Sequence, residues 1–240
     1  MKHILGIFSI LFFSLIIIGS TSSLYNVYFT PNQADIFTKE SFRNYIQSTE
    51  SPTIVVRVPS ADENNLNESD DLTKVEYSQT DIYNTIEKEL SRANFIVRDR
   101  KLFEKVLEQN IGDYKSLREA TQTELILELV SFVSEEYKTN KYLDDTGKEK
   151  VATDREFSRN GYKVEFKLIK VLENDVVGSY TFHYAPCVDG CVFGSSEELS
   201  LFKDSNSEAP KGYKYVVSQT ALQDFFKKCT VELIDKMYNN

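Results

Sequence analysis

Hydrophobic and polar positions along this chain follow strand and helix periodicities that predict a mixed α/β fold. Residues 53–58 are rich in β-branched side chains and lie between two prolines, which indicates a buried strand, and 125–133 form a second apolar run of strand length. Residues 162–171 alternate between apolar and charged side chains, so one face of that strand must contact water. A turn and a return strand follow, and the sequence therefore predicts a long antiparallel hairpin over 161–185.

Three segments, 80–93, 100–109 and 216–238, repeat their apolar residues at helical spacing. A short strand over 95–98 separates the first two, and 113–121 predicts another short helix. We expect the last helix to pack its apolar stripe on the sheet, because each large side chain left in water would forgo about 1.5–3 kcal/mol. The alternative is an exposed helix that binds a partner. The stripe consists of Leu222, Phe225, Phe226, Cys229, Leu233 and Met237.

These elements predict an α/β fold with a single mixed sheet, in two or three layers with flanking helices, similar to an anticodon-binding domain. Residues 1–22 are predicted to be a signal peptide, and 23–50 an N-terminal arm that packs on the domain and includes a short helix. Residues 51–240 are predicted to form one α/β domain. Within that domain, the strongly charged segment 134–156 is interpreted as an exposed insertion, either a loop or a hairpin tip.

The first residues have the order of regions that is typical of a secretory signal peptide. Lys2 and His3 precede an apolar run over 4–18, and small residues follow at 19–23. The apolar run is shorter than the roughly 20 residues that span a bilayer as a helix. We therefore expect cleavage after Ser22 and a periplasmic or secreted mature protein, with an uncleaved N-terminal anchor as the alternative. The first cysteine is Cys187, so we do not expect a lipoprotein.

Acidic residues outnumber basic ones, 37 to 28, and the formal net charge is −9. Such a chain repels phosphate backbones and anionic lipid, so nucleic acid is not an expected partner. The acidic segment 60–79 lacks the spacing of a calcium-binding loop and is interpreted as a solvated loop. No later segment is apolar enough to predict a transmembrane helix in the mature chain.

The chain has three cysteines, which cannot all pair within one molecule. Cys187 and Cys191 flank an Asp-Gly pair in the predicted loop 186–214, and this spacing favours a local disulfide across a tight turn. The alternative is two free thiols. Cys229 lies at an apolar helix position and is predicted to be a core residue.

No catalytic, cofactor or metal motif is recognisable. His183 is the only histidine beyond the signal segment and lies in a predicted strand, and no nucleophile elbow, zinc spacing or phosphate-binding loop accompanies it. The sequence therefore predicts a protein that is not an enzyme and needs no cofactor. The alternative is a hydrolase of unrecognised class, which would need convergent carboxylates around His183 or Tyr184.

One stretch of the chain is similar to the CsgG-like and LpoB-like cell-envelope families. These families include the curli secretion subunit, activators of penicillin-binding proteins and flagellar outer-membrane relatives. Their shared phrase is a helix, then a strand ending in an aspartate–arginine pair, then a second helix with a Val-Leu-x-Glu-Gln-like end. The matching residues are Val97, Arg98, Asp99, Arg100, Val106, Leu107, Glu108 and Gln109.

The resemblance implies an exported, non-catalytic envelope protein that binds other envelope proteins as an assembly or regulatory adaptor, and it leaves an oligomer open. The alternative that it implies is an oligomeric component of an outer-membrane secretion channel. In those channels the segment matching 134–156 faces lipid, whereas in this chain it is strongly charged. The adaptor hypothesis is therefore preferred.

Overall fold

The structure is a computed structural model that describes residues 24–57, 79–109, 114–194 and 219–239. The predicted signal peptide and nearly all of the acidic segment 60–79 lie outside the described residues, as does the loop from 195 to 214. No helix in the described ranges combines the length and the apolar character needed to cross a bilayer.

Ten strands and five helices form the described parts of the chain. The strands are β1 (Leu24–Val27), β2 (Asp35–Thr38), β3 (Thr53–Arg57), β4 (Ile96–Val97), β5 (Leu125–Thr139), β6 (Lys141–Leu143), β7 (Glu149–Val151), β8 (Phe157–Lys170), β9 (Asp175–Tyr184) and β10 (Cys191–Gly194). The helices are α1 (Glu40–Ser48), α2 (Gln79–Arg92), α3 (Arg100–Gln109), α4 (Tyr114–Thr121) and α5 (Gln219–Tyr238).

The strands form two sheets. The central sheet has six strands in the order β2-β9-β8-β5-β3-β4, in which β3 runs parallel to β4 and β5 while the other pairs are antiparallel. The small sheet has four antiparallel strands in the order β10-β1-β6-β7. The α/β class with a mixed sheet, flanking helices and a long hairpin is confirmed, but the expectation of a single sheet is corrected to two.

Helices α1, α2 and α5 cover one face of the central sheet, which we call the inner face. On β8, every second side chain points to these helices and is buried, as at Val164, Phe166 and Leu168. All six residues of the predicted α5 stripe are buried in the same cluster. The ring of Phe226 lies 5.1 Å from that of Phe132 on β5, centroid to centroid. The predicted docking of this helix on the central sheet is thereby confirmed.

The opposite face of the central sheet, the outer face, is covered only towards its two ends by the described residues. Helices α3 and α4 cover one end through a buried cluster of Val55, Phe103, Leu117, Ile126, Ile169 and Val171. The small sheet covers the other end through a second buried cluster of Val27, Phe29, Tyr137, Ala152, Phe157, Ala185 and Phe193. The region between these two clusters is the open part of the outer face.

The predicted N-terminal arm is part of both sheets. Within 23–50, β1 pairs with β6 and β10 in the small sheet, and β2 pairs with β9 at the edge of the central sheet. The short helix expected in this arm is present as α1. The two strands have four residues each, and their apolar and polar residues alternate only weakly. Pairing with distant strands, rather than a local sequence pattern, therefore determines that these segments are strands.

The segment 134–156 contains an exposed hairpin, β6–β7, which agrees with the hairpin-tip alternative, but its beginning continues β5 and its strands belong to the sheets. β5 extends to Thr139 and pairs with the start of β8, and β6 and β7 follow within the small sheet. Tyr137 and Ala152 are buried in the core of the small sheet, although charged residues surround them in sequence. Strands with one solvent-exposed face carry many charged residues. Two isolated buried apolar residues do not produce the alternation by which a strand is recognised in a sequence.

Candidate functional site

The open part of the outer face is a continuous row of side chains across five strands. Because residues in register on paired strands point to the same side, one row runs from β2 through β9, β8 and β5 to β3. Its members are Phe37, Ser179, Lys167, Glu128 and Arg57. The next row consists of Asp35, Thr181, Glu165 and Ser131, and a third of His183, Lys163 and Val133.

The charges of this face are largely paired with each other. Arg57 Nη1 lies 3.1 Å from Glu128 Oε1, and Lys163 Nζ lies 2.8 Å from Glu165 Oε1. The hydrogen bond from Lys163 is the main reason why the pKa of Glu165 is lowered, although partial burial opposes it. The face is therefore polar without a strong charge of either sign, which favours a partner of mixed polarity over a highly charged one.

Phe37 is the aromatic residue on this face. Its side chain stands at the edge of the central sheet beside Ser179, and 53% of the residue is exposed. Val176, at the start of β9, is also exposed on the outer side, opposite the buried Ile169. An exposed aromatic ring beside paired polar groups has the composition of a protein-binding anchor.

Glu135 forms the border between this face and the small sheet. Its carboxylate accepts hydrogen bonds from Asn32 Nδ2 at 2.8 Å and Tyr137 Oη at 2.7 Å. His183 Nδ1 lies 2.9 Å from Glu135 Oε2, and it is the donor because an ionised carboxylate only accepts. The carboxylate thus joins β5, β9 and the segment between β1 and β2.

Opposing influences determine the pKa of Glu135. Desolvation by burial is the largest of them and raises the pKa, but the hydrogen bonds from His183 and Tyr137, together with the charge of His183 and the bond from Asn32, outweigh it. The pKa of Glu135 is therefore lowered from its ordinary value. For Tyr137, burial and the hydrogen bond to Glu135 raise the pKa.

The residues of the family-like motif hold α3 in place and lie away from the open face. Val97 is in β4, and Asp99 caps α3 by accepting a 2.8 Å hydrogen bond from the backbone N–H of Leu102. Arg100 Nε donates to Glu87 Oε1 on α2 at 2.8 Å. Arg98 Nη2 donates to Gln122 Oε1 at 3.3 Å. The remaining members, Val106, Leu107, Glu108 and Gln109, belong to α3, and the first two pack against the α3–α4 cluster.

Arg100 also contacts an aromatic ring. Its guanidinium carbon lies 4.0 Å from the ring centroid of Tyr83 on α2, which is within the range of a cation–π contact. Desolvation by burial raises the pKa of the Glu87 carboxylate, and the charge of Arg100 opposes this. The motif therefore joins α2, β4 and α3, and its geometry accounts for these residues as structural.

A disulfide joins Cys187 and Cys191 in the structure, within the segment 186–214 that the sequence predicts to be loop. That segment also contains β10, whose pairing with β1 places Cys191 opposite Val27. Cys187 and Gly190 have φ angles of 57° and 97°, in the left-handed region. Cys229 is buried with a free thiol, and burial raises its pKa.

No protein family profile matches the sequence, and no curated protein is similar to it. Among solved structures, it is similar to the PelC dodecamer from Paraburkholderia phytofirmans, at 11% identity and a TM-score of 0.37, over 87% of this chain and 98% of that one. It is also similar to a PDZ domain protein from Parabacteroides distasonis, at 11% identity and a TM-score of 0.32, over 89% of this chain and 37% of that one. Similarity at this level identifies neither a family nor a function.

Sequence reasoning identified His183 but missed its partner. Glu135 is 48 residues away, in a segment whose many charges indicate an exposed insertion. Only the register of β5, β8 and β9 brings the two side chains together. Among the described residues, no group of three His, Cys, Asp or Glu side chains converges as a metal site.

Proposed function

We propose that this chain is an exported, non-catalytic cell-envelope protein that acts by binding another protein through the open part of its outer face. The observation that carries the proposal is the cross-strand row from Phe37 to Arg57. The row is mostly polar, Phe37 and Ser179 in it are exposed, and Glu128 is buried in its ion pair with Arg57. The signal-like N terminus and the resemblance of 82–109 to envelope families support export and an adaptor role.

The open part of the outer face suits protein binding because its backbone and side chains need little rearrangement when a partner covers them. The backbone of the face is fixed by hydrogen bonds on both sides of β5, β8 and β9. The ion pairs of Arg57 with Glu128 and of Lys163 with Glu165 are already formed, so a partner does not have to desolvate isolated charges. A rigid surface also loses less conformational entropy on binding than a loop does.

The surroundings of His183 support binding more than catalysis. Its Nδ1 is engaged by Glu135, and its cross-strand neighbour on the outer face is Lys163, which pairs with Glu165. A hydrolase that used His183 to activate a side-chain nucleophile would need a hydroxyl or thiol within hydrogen-bond reach of the imidazole. No such contact to His183 is present among the described residues.

The test is capture of partners from an envelope extract of the source organism by the tagged mature chain, followed by mass spectrometry. Two variants alter the outer face: Phe37→Ala removes the aromatic ring, and Ser179→Arg places a long side chain at an exposed central position. Each has a matched control on the solvent side of α5, Val231→Ala and Thr220→Arg, where both residues are exposed.

We expect the wild-type chain and both controls to retain a specific protein, and each outer-face variant to reduce its recovery by about tenfold or more, the loss expected at an interface hot spot. Retention of the same partner by both outer-face variants would contradict the proposed surface. Recovery of no specific protein together with a hydrolase activity in the purified chain would contradict the proposed function.

A further inference from the structure

Glu135 has more hydrogen-bond donors than a surface carboxylate needs. One oxygen accepts from Asn32, and the other accepts from both Tyr137 and His183, at distances of 2.7–2.9 Å. Hydrogen bonds to an ionised carboxylate are about twice as strong as those between neutral groups. The arrangement therefore favours the charged form of Glu135.

Two of the three donors, Tyr137 on β5 and His183 on β9, belong to strands of the central sheet, as does Glu135 itself, and the third belongs to the segment that joins the two sheets. Asn32 lies between β1 of the small sheet and β2 of the central sheet, and Tyr137 is buried in the small-sheet core with 6% exposure. His183 lies on β9 of the central sheet. The carboxylate thus fixes the Tyr137 hydroxyl, whose ring packs in the core of the small sheet, and joins β5 and β9 to the segment between β1 and β2.

The charged groups around Glu135 come from three strands. On its own strand, Tyr137 is neutral, because the pKa of its hydroxyl is raised. On β9 the group is His183. On β8 the groups are Lys163, in register with His183, and Arg159, in register with Tyr137. Glu165, two residues further along β8, pairs with Lys163. A charged Glu135 therefore lies among hydrogen-bond donors and near basic residues of β8, and the carboxylate of Glu165 on that strand is paired with Lys163.

We propose that Glu135, with Asn32, Tyr137 and His183, is an acid-sensitive latch that holds the small sheet against the central sheet. When Glu135 is protonated it loses acceptor capacity, and three donors compete for what remains. The folded-state pKa is lowered, so the latch contributes fully above the ordinary range of a glutamate and is lost as the pH falls through the lowered pKa. The latch does not depend on the proposed binding function.

The experiment is hydrogen–deuterium exchange of the full mature chain between neutral and acid pH, with rates corrected for the intrinsic pH dependence of amide exchange. The variant is Glu135→Gln, which keeps the size and removes the charge. Its matched control is Glu136→Gln, since Glu136 is exposed on the same strand and pairs with Lys138 at 3.1 Å. The amides compared are those of β1 and β6 in the small sheet and those of α5.

At neutral pH we expect Glu135→Gln to accelerate exchange in β1 and β6 by about tenfold, the loss of one strong hydrogen bond, and to leave α5 unchanged. In the wild-type chain, exchange in β1 and β6 should accelerate by the same factor as the pH falls through the titration of Glu135. In Glu135→Gln, the exchange rate should show no such pH-dependent step. Asn32→Ala, which removes one donor, gives a smaller acceleration and keeps the step.

Three results would overturn the latch. The first is an acid step of the same size in Glu135→Gln and the wild type, since the titrating group would then lie elsewhere. The second is an equal acceleration in α5 and the small sheet, because that would mean general destabilisation. The third is an effect of Glu136→Gln equal to that of Glu135→Gln, which would show that loss of any charge on this strand loosens the small sheet.

Discussion

The inner and outer faces of the central sheet are formed by the same strands but differ in what covers them. Along β8, Val164, Phe166 and Leu168 are buried beneath three helices, whereas Lys163, Glu165 and Lys167 between them are only partly covered. A strict period of two in one strand thus separates the residues that stabilise the domain from those available for binding. Substitutions on the two faces should therefore affect stability very differently.

The largest effect is expected on the inner face at Phe226, which is fully buried against Phe132. Phe226→Ala should lower the free energy of unfolding by about 3–5 kcal/mol, the usual cost of emptying a buried aromatic site. Urea unfolding of the mature chain measures it, with Val231→Ala on the exposed side of α5 as the control. An unchanged midpoint for Phe226→Ala would remove α5 from the core and favour an exposed binding helix.

The difference between the two faces also explains what the sequence could predict. The inner face was predictable because α5 and β8 carry long periodic patterns, and burial of a continuous stripe requires such a pattern. The small sheet was not predictable, since β1, β6, β7 and β10 have three or four residues each. Their order depends on pairings between residues that are far apart in the chain, which local periodicity does not encode.

The candidate site required information on register. A β-bulge lies between Leu129 and Ser131 on β5, and it determines which side chains beyond it point outward. A shift of one residue would move Glu135 to the other face and away from His183. The polar residues of the site could thus be read from the sequence, but not the fact that they meet.

The second-largest effect on stability is expected in the small sheet, which covers one end of the outer face. The disulfide closes a loop of five residues, Cys187 to Cys191, and chain-entropy arguments give such a loop about 2 kcal/mol of stabilisation. Replacing both cysteines by serine should therefore accelerate amide exchange in β10 and β1 while α5 keeps its protection. Loss of protection in α5 to the same extent would mean that the two sheets unfold as one unit.

A smaller effect is expected where α3 begins, at the other end of the outer face. Asp99→Ala removes the cap on the Leu102 N–H and should cost about 1 kcal/mol. Asp99→Asn is the matched control, because asparagine caps equally well, and it should remain close to the wild type. Thermal unfolding followed by circular dichroism measures both variants. Equal destabilisation by Ala and Asn would indicate that the charge, rather than the cap, is important.

The smallest effect on stability is expected on the open face itself, at Phe37. Half of this residue is exposed, so Phe37→Ala empties no core site and should change the unfolding free energy by no more than about 1 kcal/mol. The neighbouring Ile36 on the same strand points to the inner face and packs against its core. Ile36→Ala should therefore destabilise the protein more than Phe37→Ala, although phenylalanine loses the larger side chain. Urea unfolding of the two variants in parallel measures this reversal. If Phe37→Ala is the more destabilising of the two, the aromatic ring belongs to the core, and the outer face loses its proposed anchor.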